Sequence, residues 1–336
     1  ILKAGGAYVP LDPGYPRERL AFLLADAEIK VLVTQNHLKE GLREQDISVV
    51  SLDAEWEGVG TRMDQDSNTA MSPDHPAYVL YTSGSTGTPK GVMITHRSIV
   101  NHMCWMEGTF PLTASDRVLQ KTPFTFDASV WEFFAPLLTG GQLVMARPGG
   151  HMDGAYLVST IKDYKITTLQ LVPSLLRVLV DEEGLSQCRS LTRVFVGGEE
   201  LPRSLAHDLN EQLPDVNIYN LYGPTEATLF CTSLEVAPGD ADSRLVIGRP
   251  LPNVKIRICD QYRTMLPIGM AGEICIGGAG VTRGYQNRQG QTAVPQDLGA
   301  EPQHRLDEVL AAGPEQPRRA DDEVLRVCDR DRGLTG

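Results

Sequence analysis

The sequence reads Tyr-Thr-Ser-Gly-Ser-Thr-Gly-Thr-Pro-Lys-Gly at residues 81–91, and this stretch decides the fold. The apolar run at residues 77–81 leads into it and predicts a short buried strand. The glycines allow the backbone to approach an anion closely, and the hydroxyl and N–H groups can donate hydrogen bonds to phosphate oxygens. Lys90 supplies a compensating positive charge. The stretch therefore predicts a phosphate-binding loop, formed by Thr82, Ser83, Gly84, Ser85, Thr86, Gly87 and Lys90.

Two other interpretations of this stretch are weaker. Gly- and Ser-rich composition is common in ordinary surface turns. A Walker-type P-loop requires Gly-x-x-x-x-Gly-Lys-Ser/Thr, but here Pro89 precedes the lysine and Gly91 follows it. The pattern Thr-Ser-Gly-Ser-Thr-Gly-x-Pro-Lys-Gly instead resembles the phosphate loop of the adenylate-forming superfamily. This superfamily includes the amino-acid adenylation domains of nonribosomal peptide synthetases, the acyl-CoA ligases and the luciferases.

The resemblance extends over residues 1–286, in which five motifs of the family occur in the expected order. Residues 1–16, where two glycines precede a Pro-rich turn, are more typical of peptide-synthetase domains than of acyl-CoA ligases. Residues 220–226 match the family motif Asn-x-Tyr-Gly-Pro-Thr-Glu residue for residue. Residues 1–286 are therefore identified as an amino-acid adenylation (AMP-binding) domain that is truncated at its N-terminus.

Helical and strand patterns alternate along the chain, which is typical of layered α/β sheets. Residues 17–27 show helical periodicity, and residues 30–34 predict a buried strand. A further helix is predicted to begin at His96, and His96 and His102 are interpreted as solvated or helix-capping residues. Short strands within residues 247–278 suggest a small β-barrel-like subdomain. The predicted fold class is α/β: the large N-terminal domain of the adenylate-forming fold, without the family's small C-terminal domain.

The resemblance implies an ATP site with Mg²⁺. Tyr222 would pack on adenine, Thr225 would touch phosphate, and Glu226 would hold Mg²⁺, since a hard cation prefers a carboxylate together with phosphate oxygens. Lys90, Thr86 and Glu226 are the predicted catalytic residues, because they would neutralise phosphate charge. The implied nucleotide-binding residues are Thr82, Ser83, Gly84, Ser85, Thr86, Gly87, Lys90, Gly198, Glu199, Asn220, Tyr222, Gly223, Thr225 and Glu226.

Residues 124–134 are aromatic and amphipathic, and taken alone they predict a helix capped by Asp127. Their Phe-Asp-x-Ser pattern also resembles the family's substrate-pocket motif, which implies that Asp127 binds the α-ammonium of an amino acid. In that pocket Gly197 would leave depth, and Gln170 would be the polar group facing the substrate side chain. The implied substrate-binding residues are Asp127, Ala128, Trp131, Gln170, Phe195, Gly197, Leu221, Leu229 and Phe230.

The substrate expected from this set is glutamine, with glutamate second, because a buried amide is satisfied best by a group with donors and acceptors. The series also resembles glutamine-activating pockets of the family, from which Leu229 and Phe230 depart. The resemblance implies formation of an aminoacyl-AMP, loading onto the phosphopantetheine arm of a peptidyl carrier protein, and a neighbouring condensation domain. Two alternatives remain open: an acyl- or aryl-acid ligase, which has no ammonium for Asp127 to bind, and a catalytically inactive nucleotide-binding fragment.

Composition limits the other functional classes. The 336 residues are 41% hydrophobic and 22% charged, as in a globular protein. The net charge of −12 argues against nucleic acid or an anionic membrane as a partner. Six scattered cysteines without a Cys-x-x-Cys pair favour reduced thiols over a metal site or disulfides. With no apolar run of spanning length and no signal peptide, the expected location is cytoplasmic.

After residue 286 the resemblance ends. The family's Tyr-Arg-Thr-Gly-Asp motif, whose aspartate binds ribose, and its C-terminal catalytic lysine are not found in frame. Residues 291–336 are rich in Pro, Gln, Arg and Glu, a composition typical of disorder. Residues 319–326 resemble the family's hinge motif, and residues 327–333 continue it when read one base later. The sequence therefore predicts that residues 287–336 are a frameshifted or disordered tail and that this fragment is impaired in catalysis.

Overall fold

The structure is a computed structural model, and it describes residues 1–39, 47–53, 71–83, 88–237 and 244–288. The described residues divide between two compact units, one drawn from Ile1–His96 and Arg283–Thr292, the other from Arg97–Thr282. The predicted tail lies outside the described residues, apart from Asn287 and Arg288. Within the described ranges, no helix is long and apolar enough to cross a membrane.

The elements follow one another in this order. The helices are α1 (Arg17–Asp26), α2 (His96–Thr109), α3 (Ala128–Thr139), α4 (Gly154–Asp163), α5 (Pro173–Val180) and α6 (Arg203–Gln212). The first unit contains the strands β1 (Val31–Thr34), β2 (Ser48–Ser51), β3 (Pro76–Thr82) and β4 (Lys90–Thr95). The second contains β5 (Arg117–Gln120), β6 (Gln142–Met145), β7 (Thr168–Leu171), β8 (Arg193–Gly197), β9 (Asn217–Tyr222), β10 (Thr232–Glu235), β11 (Arg249–Pro250), β12 (Val254–Cys259) and β13 (Glu273–Gly278).

The second unit is built on a seven-stranded sheet in the order β11-β10-β9-β8-β7-β5-β6. The five strands β5 to β9 pair in parallel, and helices α3 to α6 lie between them in sequence. Parallel strands joined by helices are the repeating unit of layered α/β folds. The predicted α/β class is confirmed.

Because side chains alternate along each strand, the two faces of this sheet carry different residues. Leu169, Leu171, Val194, Val196 and Ile218 belong to an aliphatic core that also contains residues of α4, α5 and α6. Because side chains alternate along a strand, the residues between these positions point to the other face. That face meets α2 and α3, and we call it the α2/α3 face.

The first unit corrects one prediction. Residues 30–34 were expected to form a buried strand, but in β1 only Leu32 is buried, while Val31 and Val33 are 55% and 41% exposed. The reason is that β1 pairs only with β2 among the described strands, which leaves much of its surface uncovered. A short apolar run thus indicated a strand correctly but not its burial.

The expected β-barrel-like subdomain is also different in detail. Among the described residues, β12 and β13 form a two-stranded antiparallel sheet, whereas β11 pairs with β10 at the edge of the large sheet. Barrel closure needs every strand to be paired on both edges. These three strands therefore extend two separate sheets and do not form one closed barrel.

His102 is buried, although it was expected to be solvated or to cap a helix. It is 2% exposed on α2, and its ring lies 5.3 Å from that of Trp105 and 5.8 Å from that of Phe230. Neither ring nitrogen has a hydrogen-bond partner among the residues that the structure describes. Burial lowers the pKa of His102 to about 3, so the imidazole is neutral in the folded protein at neutral pH.

Replacing His102 by Phe is expected to stabilise the protein and to reduce its acid sensitivity. The ring contacts are kept, while a buried group without hydrogen bonds, which costs about 1–3 kcal/mol, is removed. The folded pKa lies below the unfolded value, so wild-type stability is complete above pH 6.5 and falls as the pH drops toward 3. The difference in unfolding free energy between variant and wild type should therefore grow by roughly 2 kcal/mol from pH 7.5 to pH 5.

Urea unfolding followed by tryptophan fluorescence at the two pH values measures this difference. The matched control is the same substitution at the exposed His37, which should change stability little at either pH. An unchanged pH dependence in His102→Phe would show that His102 is not buried in its neutral form.

Candidate functional site

The predicted phosphate loop joins β3 to β4 in the first unit. These strands pair antiparallel, and Thr82 lies opposite Lys90 at their open end. Lys90 begins β4, and its ammonium lies 5.2 Å from the centre of the Tyr285 ring, a cation–π distance. Ser83 is exposed. The assignments of Gly84, Ser85, Thr86 and Gly87 fall outside the described residues.

Two charged residues that the sequence did not indicate hold both sides of this loop. The Tyr81 hydroxyl donates to Asp26 Oδ2 at 2.8 Å on the β3 side. Arg288 pairs with Asp26 at 3.4 Å and donates to the Pro89 carbonyl at 3.1 Å on the β4 side. Because the pair joins residues 262 positions apart, no local pattern identifies it. Asp26 and Arg288 thus fix the strand ends between which the loop must lie.

The remaining predicted residues lie in the second unit, at or near strand ends. The parallel strands β7, β8 and β9 end on the same edge of the sheet, where ligands bind in open α/β sheets. The predicted nucleotide residues Gly198 and Glu199 directly follow β8. Tyr222 ends β9, and Gly223 directly follows it.

Two predicted nucleotide residues make hydrogen bonds within the protein. Glu199 accepts hydrogen bonds from the backbone N–H and the hydroxyl of Ser174, both at 2.9 Å, near the start of α5. Asn220 donates from Nδ2 to the Val246 carbonyl at 3.0 Å. In this structure both side chains tie neighbouring segments of the second unit together.

Asp127 caps a helix, as the sequence predicted, and its second oxygen contacts another predicted site residue. It caps α3 through a 2.7 Å hydrogen bond that Oδ1 accepts from the Ala128 N–H. Its second oxygen, Oδ2, accepts from the Thr225 hydroxyl at 2.7 Å. Thr225, predicted to touch phosphate, is therefore brought to the predicted ammonium-binding residue. The structure thus joins two motifs that are 98 positions apart.

The electrostatics of Asp127 favour binding of a cation. Burial raises the pKa of its carboxyl above the usual range, and the charge of Glu226 raises it further, while the hydrogen bonds from Thr225 and Ala128 oppose this. None of the described lysine, arginine or histidine side chains forms an ion pair with Asp127. A buried carboxylate without a cation is costly, and a bound ammonium would remove that cost.

The turn before Asp127 is held by a buried glutamate of α3. Glu132 is fully buried and accepts hydrogen bonds from the Thr122 N–H at 3.0 Å and the Thr122 hydroxyl at 2.7 Å. The ammonium of Lys121, also buried, lies 3.9 Å from Glu132 Oε1. Burial raises the pKa of Glu132 and lowers that of Lys121. No sequence signal indicates this pair, since neither residue belongs to a motif of spaced ligands.

Residues from neighbouring strands meet on the α2/α3 face. Gln170 lies opposite Phe195 in the register of β7 and β8, and Gly197 lies opposite Leu221 in that of β8 and β9. Trp131 of α3 packs against this face, with its ring 5.2 Å from that of Phe195. The Trp131 indole N–H donates to Gln170 Oε1. The structure therefore brings together predicted substrate residues that come from four segments of the chain.

Gly197 and Gly223 are required by close backbone contacts. A Cβ atom on Gly197 would lie 2.6 Å from the Leu221 carbonyl oxygen and 3.3 Å from the Phe230 ring. One on Gly223 would lie 2.5 Å from the Leu229 carbonyl oxygen. These approaches seat Leu229 and Phe230 beside the other substrate residues. The contact with Leu221 is a reason for Gly197 that its expected role in pocket depth did not include.

The residues present fit a divalent cation only together with phosphate oxygens. Among the described residues, no cluster of three or more His, Cys, Asp or Glu side chains could hold a metal. Glu226 lies close enough to Asp127 to raise its pKa. Mg²⁺ bound with substrate phosphates typically uses one or two carboxylates, which agrees with this donor set.

The sequence profile of the AMP-binding enzyme family matches residues 1–286. Tyrocidine synthase 3 of Brevibacillus parabrevis is 49% identical over 289 residues, which are 86% of this chain and 4% of that protein. Indigoidine synthase of Dickeya dadantii (strain 3937) is 42% identical over 302 residues, covering 87% of this chain and 20% of that protein. The chain thus spans a fifth or less of the length of these two relatives.

Solved structures of a nonribosomal peptide synthetase, FmoA3, have the same fold. Its AMPPNP-bound form superposes with a TM-score of 0.80 at 30% identity, covering 87% of this chain and 31% of that one. The form bound to α-methyl-L-serine-AMP gives a TM-score of 0.79 at 30% identity, covering 87% and 33%. The predicted architecture is confirmed by these matches.

Removing the Thr225 hydroxyl is expected to raise the pKa of Asp127 further. Thr225→Val keeps the shape of the side chain but takes away a hydrogen bond that favours the ionised carboxylate. Thr225→Ser keeps the hydroxyl and serves as the control. A titration of ¹³C-labelled aspartate carboxyls by NMR, assigned with Asp127→Asn, measures the shift. Equal Asp127 midpoints in the Val and Ser variants would contradict the role assigned to Thr225.

Proposed function

The chain belongs to the AMP-binding enzyme family of adenylate-forming ligases, and we propose that the protein containing it activates an amino acid for nonribosomal peptide synthesis. The observation that carries this proposal is the partly buried carboxylate of Asp127, which forms no ion pair with a lysine, arginine or histidine among the described residues. An acyl- or aryl-acid substrate has no ammonium to compensate that charge. FmoA3, described with an aminoacyl-AMP analogue and with AMPPNP, supports ATP as the co-substrate.

In the proposed reaction, the amino-acid carboxylate attacks the α-phosphorus of ATP. A bond forms between a carboxylate oxygen and phosphorus, the bond from the α-phosphorus to the bridging oxygen breaks, and pyrophosphate leaves with that oxygen. Mg²⁺, bound with ATP, would neutralise phosphate charge. The products are aminoacyl-AMP and pyrophosphate.

The chain's own residues would position the reactants. Asp127 would hold the substrate ammonium, so that the carboxylate of the same amino acid is oriented for attack. Glu226 would hold Mg²⁺, Tyr222 would face adenine, and Lys90 with Thr86 would contact phosphate oxygens. Most of the rate enhancement would then come from orientation and charge neutralisation.

Glutamine is the proposed substrate, with glutamate second. The support is Gln170, a buried polar residue opposite Phe195 on β8, in a predicted pocket whose other members, Leu221, Leu229 and Phe230, are apolar. A purely aliphatic substrate would leave the free N–H group of the Gln170 amide without a hydrogen bond, at a cost of about 1–3 kcal/mol. The aminoacyl group would then pass to the phosphopantetheine thiol of a peptidyl carrier protein, with a condensation domain as a further neighbour. The similarity to FmoA3, a nonribosomal peptide synthetase, and the much greater length of the two relatives agree with such an assembly.

Asp127→Asn is expected to weaken amino-acid binding while leaving ATP binding unchanged. Asparagine is also a good helix cap, so the substitution removes the charge without removing the cap. Loss of a charge-assisted contact worth about 1.5–3 kcal/mol should lower glutamine affinity roughly 10- to 150-fold. Calorimetric titration of glutamine in the presence of AMPPNP and Mg²⁺ measures it.

The matched control for that variant is Asp153→Asn, which alters the equivalent cap of α4. Glutamine should bind this control as tightly as the wild type. Fatty or aryl acids that bind equally well with and without the Asp127 charge, in the absence of amino-acid binding, would support the acyl-ligase alternative instead.

Lys90→Ala is expected to reduce nucleotide affinity, or the rate of ATP–pyrophosphate exchange in the native protein, by roughly 10- to 150-fold. It removes the positive charge at the β4 end of the loop, with no change to the residues around Asp127. Lys162→Ala, at an exposed lysine of α4, is the control. Nucleotide affinity and exchange rate that both equal those of the wild type would rule out a phosphate contact by Lys90.

A further inference from the structure

We propose that Trp131 fixes the polarity of the substrate pocket by holding the Gln170 amide with its NH₂ group toward the substrate side chain. This rests on the proposed function and specifies it further. The pocket would take α-amino acids whose side chain ends in a neutral hydrogen-bond acceptor, and it would reject side chains that can only donate. Trp131 is a positioning residue in this scheme, because it acts through Gln170.

The chemistry of the indole determines which atom of Gln170 it can bind. An indole N–H can donate a hydrogen bond but cannot accept one. Its partner on Gln170 must therefore be the carbonyl oxygen, as the structure has it. The opposite amide orientation would place two donors face to face at a site where both side chains are at least 96% buried. Unpaired buried donors are costly, so the amide has one preferred orientation.

The Trp131 side chain has little conformational freedom. It is fully buried, and its ring meets Phe195 edge to face, at an interplanar angle of 80°. It lies four residues after Asp127, so the two residues share one side of α3. The rise between them is about 6 Å. The carboxylate assigned to the ammonium and the indole that orients Gln170 are therefore one helical turn apart on a single rigid element.

The Nε2 atom of Gln170 is the part of the amide that Trp131 does not bind. With Oε1 bound to Trp131, Gln170 Nε2 has no hydrogen-bond partner among the residues that the structure describes. The residues that accompany it in the predicted pocket, Phe195, Leu221, Leu229 and Phe230, have apolar side chains. A side chain that accepts a hydrogen bond from Nε2 would satisfy it.

The apolar surroundings also predict which substrate side chains bind most tightly to Gln170 Nε2. A carboxylate would accept the same hydrogen bond, but its charge would be desolvated with no cation assigned to it. A carboxamide oxygen carries no such cost. The order expected is glutamine first, glutamate second, leucine third, and ornithine, whose ammonium can only donate, last.

Trp131→Phe tests the proposal because it keeps an aromatic ring against Phe195 and removes only the indole N–H. The Gln170 amide is then free to turn its carbonyl oxygen toward the substrate. We expect the ratio of glutamine to ornithine affinity to fall about 10-fold or more, through weaker glutamine and stronger ornithine binding. The control is Trp105→Phe, at a buried tryptophan of α2 in contact with His102 and Phe110, which should leave the ratio unchanged.

Gln170→Glu gives a second, independent measurement. One carboxylate oxygen can accept from Trp131 while the other faces the pocket, so ornithine should now bind better than glutamine. The indole ¹H resonance of Trp131 gives a readout without substrate. It should move on Gln170→Leu and stay in place in Lys162→Ala, a variant at an exposed residue of α4.

The outcomes separate this proposal from the function on which it rests. If the wild type binds no amino acid, the proposed function is refuted. If it binds glutamine, and Trp131→Phe still binds AMPPNP with an unchanged ratio of glutamine to ornithine affinity, the orienting role of Trp131 is refuted while amino-acid activation stands. An indole resonance that does not respond to Gln170→Leu would also refute the role.

Discussion

The alternation of side chains along β7, β8 and β9 is the constraint on which the second unit depends. The central strand β7 is buried at every position and β8 at every position after Arg193, so residues there are buried whichever way they point. One face carries the aliphatic side chains of the core beneath α4, α5 and α6, with the polar Asn220 opposite Val196 on the same face. The other carries Gln170, Phe195 and Gly197, and these are the residues that differ from a purely structural core. A polar side chain at such a position must have a partner, and α3 supplies it through Trp131.

The helix α3 therefore connects two electrostatic problems. At its start, Asp127 forms no ion pair with a lysine, arginine or histidine of the described residues, and burial together with the nearby charge of Glu226 opposes its ionisation. One turn later, Trp131 satisfies half of a buried amide. In each case a polar group of the protein can bind a ligand. These groups are the negative charge of Asp127 at the start of the helix and the Gln170 N–H donor near Trp131, one turn later. An amino acid has complementary groups at both positions, because its ammonium and its side chain diverge from one carbon atom.

Much of this arrangement is predictable from sequence because motifs are local. A strand followed by a glycine turn at residues 193–198, and another followed by Gly-Pro-Thr-Glu, predict β8 and β9 and the residues at their ends. Local sequence patterns do not show which residues of different motifs contact one another. The contact of Thr225 with Asp127, that of Trp131 with Gln170, and the Asp26–Arg288 pair join residues 39 to 262 positions apart. The burial predicted from sequence is wrong at His102 and Val31 for the same reason. Their exposure depends on neighbours in the fold that local composition does not specify.

The turn after β9 shows how the backbone accommodates these contacts. Thr228 and Leu229 both have positive φ, 61° and 67°, a conformation that costs a non-glycine residue about 1–3 kcal/mol and is especially unfavourable for a β-branched one. The chain reverses there, and the Cys231 N–H donates to the Tyr222 carbonyl at 2.8 Å. This hydrogen bond, the close approach at Gly223 and the burial of Leu229 and Phe230 offset the strain. A single rigid segment thus carries Tyr222, Thr225 and Glu226 on one side of the turn and Leu229 and Phe230 on the other. Residues assigned to nucleotide and residues assigned to the amino-acid side chain cannot move independently within it, so the relative position of the two ligands is set by the folded backbone.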